Sequence, residues 1–322
     1  MKIVVFGGGT GLSILLRGLK KYTKDISAIV TVADNGGGSG VLREDLGMLP
    51  PGDMRNCIIA LSDIEPIMVS LMQHRFNDGY LKGQSFGNLL IAAMYEIFGD
   101  YEHALKEIGS IFRLSGKVLP MTLQDAQLKA HLDNGECILG EKDIPDYVSK
   151  SSCKIDRVSL VPEICTPLEE TLKDIKEADI VLLGPGSLYT SVIPNILVSN
   201  ITEAIVDSKA KVFYICNLMT QPGETDNYNV YDHVNAIIKH SSRYLIDYVI
   251  ANDELISDNQ IQNYKFKGAK QVLVDDEQIK KLEEMNIKVI SSDFTEIKKN
   301  YIRHNSEKIG QLLFNYISEK NK

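Results

Sequence analysis

The sequence predicts an α/β protein built on a doubly wound, mostly parallel sheet. Three observations carry that reading. Short apolar runs rich in β-branched residues recur along the chain, as expected of strands buried on both faces. Segments with apolar residues at helical spacing alternate with them. Several of the runs end in glycine- and hydroxyl-rich corners, the kind of loop that carries ligands in open α/β sheets.

The first run is Lys2–Phe6 (KIVVF), ended by glycines. Leu12–Tyr22 follows as a helix, with apolar residues at 12, 15, 16 and 19, and Ile26–Ala33 is the next strand, ending at Asp34. Strand, glycine turn, helix and strand make a βαβ unit with an expected right-handed crossover. From about Asp53 to Leu119 the periodicity is helical, as in Ile67–Arg75, Asn88–Phe98 and His103–Phe112. Short strands are then expected at Lys117–Met121, Gln127–Leu132 and Cys137–Gly140, with a hairpin turn at Asp133-Asn134-Gly135, and another at Arg157–Val161. Alternation returns with a helix at Leu168–Lys176 and strands at Asp179–Leu183 and Lys211–Cys216. A helix at Tyr231–His240 and a strand at Leu245–Ala251 come next, then strands near Gln271–Val274 and Ile287–Ile290 and a last helix at Ser306–Ser318. No repeat or linker divides the chain. Residues 1–322 therefore read as one domain with a helical and small-strand elaboration at about 57–165.

The 322 residues carry 35 Lys and Arg against 43 Asp and Glu, a net charge of −8 that argues against non-specific nucleic-acid binding. The five cysteines, at 57, 137, 153, 165 and 216, are odd in number and lack C-x-x-C spacing, so neither a disulfide framework nor a zinc site is expected. No run approaches the ~18–20 apolar residues of a membrane span. The glycines at 7–9 interrupt the only signal-like stretch near the start. A cytoplasmic protein is expected.

Five corners carry candidate chemistry. Gly7-Gly8-Gly9-Thr10-Gly11 lies between strand and helix, where amides can face a phosphate, and Asp34 ends the following strand. Leu12 breaks the dinucleotide fingerprint and no Walker lysine is present, so a phosphate or nucleotide is favoured over NAD. Asp34-Asn35-Gly36-Gly37-Gly38-Ser39-Gly40 reads as a mobile loop able to wrap a ligand, with Arg43 positioned to close on a phosphate. In Pro50-Pro51-Gly52-Asp53-Met54-Arg55-Asn56, Asp53 is either an N-cap or a second carboxylate opposite Asp34, a pair suited to Mg²⁺ bridged to phosphates. Gly184-Pro185-Gly186-Ser187 follows a strand but lacks the Gly-x-Ser-x-Gly of a hydrolase. Asn217-Leu218-Met219-Thr220-Gln221 offers amides and a hydroxyl to a base or sugar, while Glu224 reads as a cap. Gly87-Asn88 opens a helix as an N-cap candidate, and the six histidines show no metal spacing.

Taken in order, GGGTGLS, VTVADNGG, PPGDMRN, FGNLLIA, ADIVLLGPGSLYTSVIPN and NLMTQPGETDNY resemble the CofD-like superfamily, within it the gluconeogenesis-factor branch, and Asn300–Asn305 extends the likeness. The resemblance implies a Rossmann-like nucleotide-binding fold. It also implies a UDP-sugar ligand such as UDP-N-acetylglucosamine and a role in cell shape and envelope synthesis on gluconeogenic carbon. Its enzyme branch implies Mg²⁺-dependent transfer of phospholactate from a guanosine-diphosphate-linked donor. By position, Gly8–Gly11 would line the phosphates, Asp34 and Asp53 would match the metal region, and Gly184–Ser187 with Asn217–Gln221 would line the remaining cleft. Asn35, Gly36, Asn56, Asn88, Tyr264 and Arg303 complete the candidate ligand set; Arg303 is expected on a charged tail, and Tyr264 as a ring for stacking. Two departures stand out: Gly38 replaces a usual Ser or Thr, and Asn35 a frequent Asp. Homo-oligomerisation is left open.

Overall fold

The computed structural model describes residues 1–320 apart from Lys267 and Lys299. Its strands are, in chain order, β1 (Ile3–Gly7), β2 (Ile26–Val30), β3 (Lys117–Pro120), β4 (Gln127–Leu132), β5 (Cys137–Leu139), β6 (Ile155–Val161), β7 (Ile180–Leu183), β8 (Lys211–Ile215), β9 (Tyr248–Ala251), β10 (Lys288–Ser291), β11 (Thr295–Lys298) and β12 (Tyr301–His304). Seven of them form one parallel sheet in the order β10-β9-β8-β7-β1-β2-β3. The chain leaves β1 towards β2 and β3, then returns to build the other half from β7 onward. The switch point between β1 and β7 is where an open α/β sheet leaves a crevice at its carboxyl edge. Every residue of Ile3–Phe6 and Ile180–Leu183 is fully buried, because helices cover both faces; hence the unbroken apolar runs in the sequence.

The elaboration divides differently from expectation. Lys117–Pro120 pairs with β2 in the central sheet and does not join the other short strands. Five helices precede it: Gly37–Leu46, Gly52–Leu61, Pro66–Gln73, Phe86–Phe98 and Tyr101–Ile111. A separate antiparallel sheet, β5-β4-β6, follows it. The glycine-rich stretch at 34–40 is not a loop throughout, since a helix begins at Gly37. The strand expected at Gln271–Val274 reduces to a single bridge between Gln271 and Met219, and that at Leu245–Ala251 shortens to β9. Arg303 lies on the β11–β12 hairpin, which the polar sequence there conceals, and not on a tail. Among the described residues, no helix is long and apolar enough to cross a membrane.

At the opposite edge of the sheet one carboxylate ties three strands to a helix. Asp174, on the helix Glu169–Glu177, is buried and accepts from Ser27 Oγ at 2.7 Å, with Lys2 Nζ at 2.7 Å and Lys117 Nζ at 2.9 Å. Burial alone would raise its pKa, but hydrogen bonds from Lys2, Ser27 and Lys117 outweigh it and hold the carboxyl below its ordinary value. Asp174→Ala is expected to cost about 3–5 kcal/mol in urea unfolding, because two lysines lose a buried partner. The wild-type contribution is present above the ordinary carboxylate range near pH 4 and falls away as pH drops through the depressed pKa; the variant's acid limb should be shallower.

Candidate functional site

The carboxyl edge carries first an open space and then a packed cluster of carboxyls, with the loop after β1 between them. Gly9 adopts φ +64° as the loop turns into the helix Gly9–Leu19. Gly8 and Gly11 are required by close approach. A Cβ on Gly8 would lie 2.7 Å from both Asp53 Oδ2 and Thr31 Cγ2, and one on Gly11 would lie 2.7 Å from the Pro185 carbonyl oxygen.

The open space is a cleft of about 290 Å³ between the loops after β1, β7 and β8 and the β12 strand. It brings together Gly11, Pro185, Gly186, Asn217, Thr220, Gln221, Tyr264 and Arg303, together with Ile302 and His304. The Tyr264 hydroxyl accepts the Ile302 backbone N–H at 3.0 Å, which fixes the helix Asp258–Phe266 against β12 and leaves the ring, not the hydroxyl, for a ligand. The Arg303 guanidinium lies 4.9 Å from the Tyr301 ring centroid. Thr220 Oγ1 accepts from the Lys270 backbone N–H at 2.8 Å, so this hydroxyl serves the loop. His304 bonds the Cys216 carbonyl through Nε2 at 2.9 Å; burial lowers its pKa to about 4, so it is a neutral donor at pH 7. Gly184, with φ +78°, and Ser187 lead from β7 into the π-helical turn Leu188–Val192, where Ser187's carbonyl accepts from Ser191 and Val192.

The carboxyl cluster lies across the same loop. Asp53 Oδ2 accepts the Gly9 N–H at 2.5 Å, and Asp34 Oδ1 accepts the Gly36 N–H at 2.8 Å. Asp53 is not an N-cap: Pro51 holds that position, and Asp53 sits in the first turn of Gly52–Leu61. Burial, then the charge of Asp34, raise its pKa to about 6 despite the Gly9 bond. Two further carboxyls complete the cluster. Glu141 is raised to about 7 by burial and by Asp34 and Asp53, and Glu224 to about 8 by burial and by Glu141. Glu224 is no cap; its carboxylate accepts from the Tyr189 N–H at 3.3 Å and the Thr190 hydroxyl at 3.4 Å. Glu141 escapes a reading by sequence because nothing in Glu141-Lys142-Asp143 separates it from a solvated run.

Several candidates serve the scaffold instead. Arg43 pairs with Asp125 and donates to the carbonyls of Val32 (3.3 Å), Asp34 (3.3 Å) and Ala126 (2.9 Å), so it does not close on a phosphate. Its guanidinium is spent holding the strand end beneath the loop. Asn35 accepts from Lys142 N and donates to Asp143, and Thr10 is exposed at the helix start. The N-cap expected of Gly87-Asn88 is Ser85; Asn88 instead accepts from Arg55 at 2.8 Å, as Asn56 does at 3.1 Å. Arg55, not Arg43, is the buried cation beside Asp53. Gly38 has its own reason: a Cβ there would meet Gln84 Oε1 at 2.8 Å.

Among the described residues, no three His, Cys, Asp or Glu side chains are arranged to hold a metal ion. Asp34 and Asp53 alone suit only a cation such as Mg²⁺ that takes its other ligands from phosphate and water.

The fold, the switch-point cleft and its glycine corners define a class that the comparisons name. The family model for 2-phospho-L-lactate transferase CofD matches residues 3–295, and the chain belongs to that family. Within it, the Bacillus subtilis gluconeogenesis factor is 47% identical over 99% of this chain and 98% of its own length. A Thermoanaerobacterium thermosulfurigenes relative, given the gluconeogenesis-factor name provisionally, is 54% identical over 97% of this chain and 95% of its own. A crystal structure of a UPF0052 family member from Bacillus halodurans superposes with a TM-score of 0.92 at 44% identity, covering 97% of this chain and 98% of that one.

The carboxyl cluster makes a pH prediction. Carboxyls raised in the folded state bind more protons than in the unfolded chain, so stability falls as pH rises from about 4 through the values of 6, 7 and 8. Urea unfolding at pH 5.5 and 8.5 should show this loss, on the order of a few kcal/mol. Glu224→Gln should flatten the dependence, and an unchanged slope would count against a proton held on Glu224.

Proposed function

We propose that this protein is a nucleotide-sugar-binding regulator whose ligand is of the UDP-N-acetylglucosamine type. In this reading it works in the cytoplasm, on cell shape and envelope synthesis during gluconeogenic growth. One observation carries the binding role: the cleft combines glycine corners after β1 and β7, the amides of Asn217 and Gln221, the Tyr264 ring and the Arg303 cation around one space. A diphosphate would lie along Gly11 and Gly186 towards Arg303, where backbone amides and a guanidinium both favour anions. The base or sugar would meet the Tyr264 ring and the side-chain amides, which supply a flat apolar face and directional polar contacts. The gluconeogenic setting is supported by the names of the relatives.

A second reading is favoured by the neighbouring Asp34 and Asp53 carboxyls and by the name of the family model. It makes the protein a transferase that moves a phospho-group from a nucleotide-diphosphate-linked donor, with Mg²⁺ neutralising the phosphates beside the two carboxylates. In that case the chain's own residues orient the donor through Gly8–Gly11 and hold the carboxylates in place through the Gly9 and Gly36 amides.

Calorimetric titration of UDP-N-acetylglucosamine and GDP, each with and without Mg²⁺, separates the two. The regulator binds the UDP-sugar without metal, and Arg303→Ala weakens it about 10–100-fold, the loss expected for a charge-assisted contact. Gly9→Val should weaken it too, by forcing a β-branched residue to φ +64°. Unchanged affinity in both variants would overturn the site. The transferase requires Mg²⁺ or prefers GDP, and Asp53→Asn abolishes its turnover.

A further inference from the structure

Away from the cleft, the antiparallel sheet β5-β4-β6 carries a cluster with its own chemistry. The register sets His131 of β4 opposite Cys137 of β5 and Arg157 of β6. Leu128, Ala130 and Leu132 point into the core, so Lys129 and His131 lie on the other, solvent-facing side. Cys137 Sγ is 3.3 Å from His131 Nδ1, and His131 Nε2 is 3.0 Å from Ser159 Oγ. Cys137 is exposed, whereas Cys57, Cys165 and Cys216 are buried and Cys153 is half-buried.

We propose that Cys137 is a reactive thiol, with His131 as its base and Ser159 as the group that orients the base, and that it exchanges with small anionic disulfides. A nucleophile, a base within hydrogen-bond reach and a third group fixing the base form the arrangement that activates a thiol. With Nε2–H donating to Ser159 Oγ, Nδ1 is left as an acceptor for the thiol proton. Burial, then Arg157 and Lys129, lower the His131 pKa, so the ring is neutral near pH 7 and able to accept. Lys129 and Arg157 also make this face cationic. The surrounding carboxylates have partners of their own: Asp156 pairs with Lys239, Asp133 accepts the Lys154 N–H, and Glu136 accepts from Asn134 and the Tyr147 hydroxyl.

In the exchange the S–H proton moves to Nδ1 and the thiolate attacks one sulfur of the disulfide. The disulfide bond breaks as the new S–S bond forms, and the departing thiolate takes the proton back from Nδ1–H. Thiol plus disulfide becomes mixed disulfide plus thiol, with the small disulfide as oxidant.

The test uses the full chain, with mass spectrometry reading each cysteine and Cys137→Ser locating the signal. Oxidised glutathione, which is anionic, should modify Cys137 about tenfold faster than Cys153 at pH 7, and faster than cationic cystamine does. His131→Asn should slow iodoacetamide alkylation of Cys137 about tenfold at pH 7 but little at pH 10, where solvent hydroxide takes over the role of the base. Ser159→Ala should act in the same direction and guards against a sheet disturbed by the first change. Equal rates at Cys137 and Cys153, or a pH 7 rate indifferent to both variants, would overturn the proposal. Loss of the glutathione preference in the double variant Lys129→Gln, Arg157→Gln supports the anionic class, and its persistence overturns that class.

Discussion

The missing side chain at Gly8 is the constraint on which the rest of the carboxyl edge depends. Three elements close on the space it leaves: Asp53 from the helix Gly52–Leu61, Thr31 from the end of β2, and Ser191, whose Oγ would lie 3.3 Å from a Cβ there. Gly11 does the same a turn further along the chain, against the loop after β7. With side chains at these two positions, Asp53 would be driven off the Gly9 amide and the β1 and β7 loops would separate. The crevice is a property of any open sheet with this strand order. Its narrowness belongs to this chain.

The wall so formed separates two electrostatic environments. On one side Arg303 and a neutral His304 leave room for negative charge; on the other, Asp53, Glu141 and Glu224 are held at raised pKa values by burial and by one another. Ionising all of them at once would place like charges in a low-dielectric space, so protons or a cation must accompany them. An anion laid along Gly8–Gly11 would add to that repulsion. Under the proposed readings, phosphate binding at the wall is therefore linked to the protonation or cation occupancy of the carboxyl cluster behind it.

Much of the fold is legible in the sequence because its signals are local. The central strands are buried on both faces, and burial on both faces writes an uninterrupted apolar run. The β11–β12 hairpin is not legible, since its residues are largely polar and half exposed and no run announces them. Lys117–Pro120 reads correctly as a strand but not as a member of the central sheet, because its partner β2 lies on the far side of five helices. The corners are legible for the same local reason as the strands. The fate of Arg43 is not: from spacing it faces a phosphate, but Asp125 and three carbonyls take its donors, and Asp125 and Ala126 come from distant chain. Glu141 reaches the other carboxyls only through the docking of a separate sheet, a tertiary event that leaves no mark on its neighbours in sequence.

The cleft and the carboxyl cluster also differ in origin. Gly11, Gly186 and Asn217 come from the ends of adjacent strands of the parallel sheet, so the cleft follows from strand order and needs only the helix and hairpin bearing Tyr264 and Arg303 to close it. The carboxyl cluster is assembled from further afield. Asp53 enters with the helices between β2 and β3, Glu141 with the sheet between β3 and β7, and Glu224 with the loop after β8. A shared parallel core can thus keep the same cleft while insertions change the charge behind it. Under the proposed readings, a binding protein and a transferase on this scaffold would differ in that cluster: in whether its carboxyls are held protonated by burial, or ionised around a cation that phosphate brings.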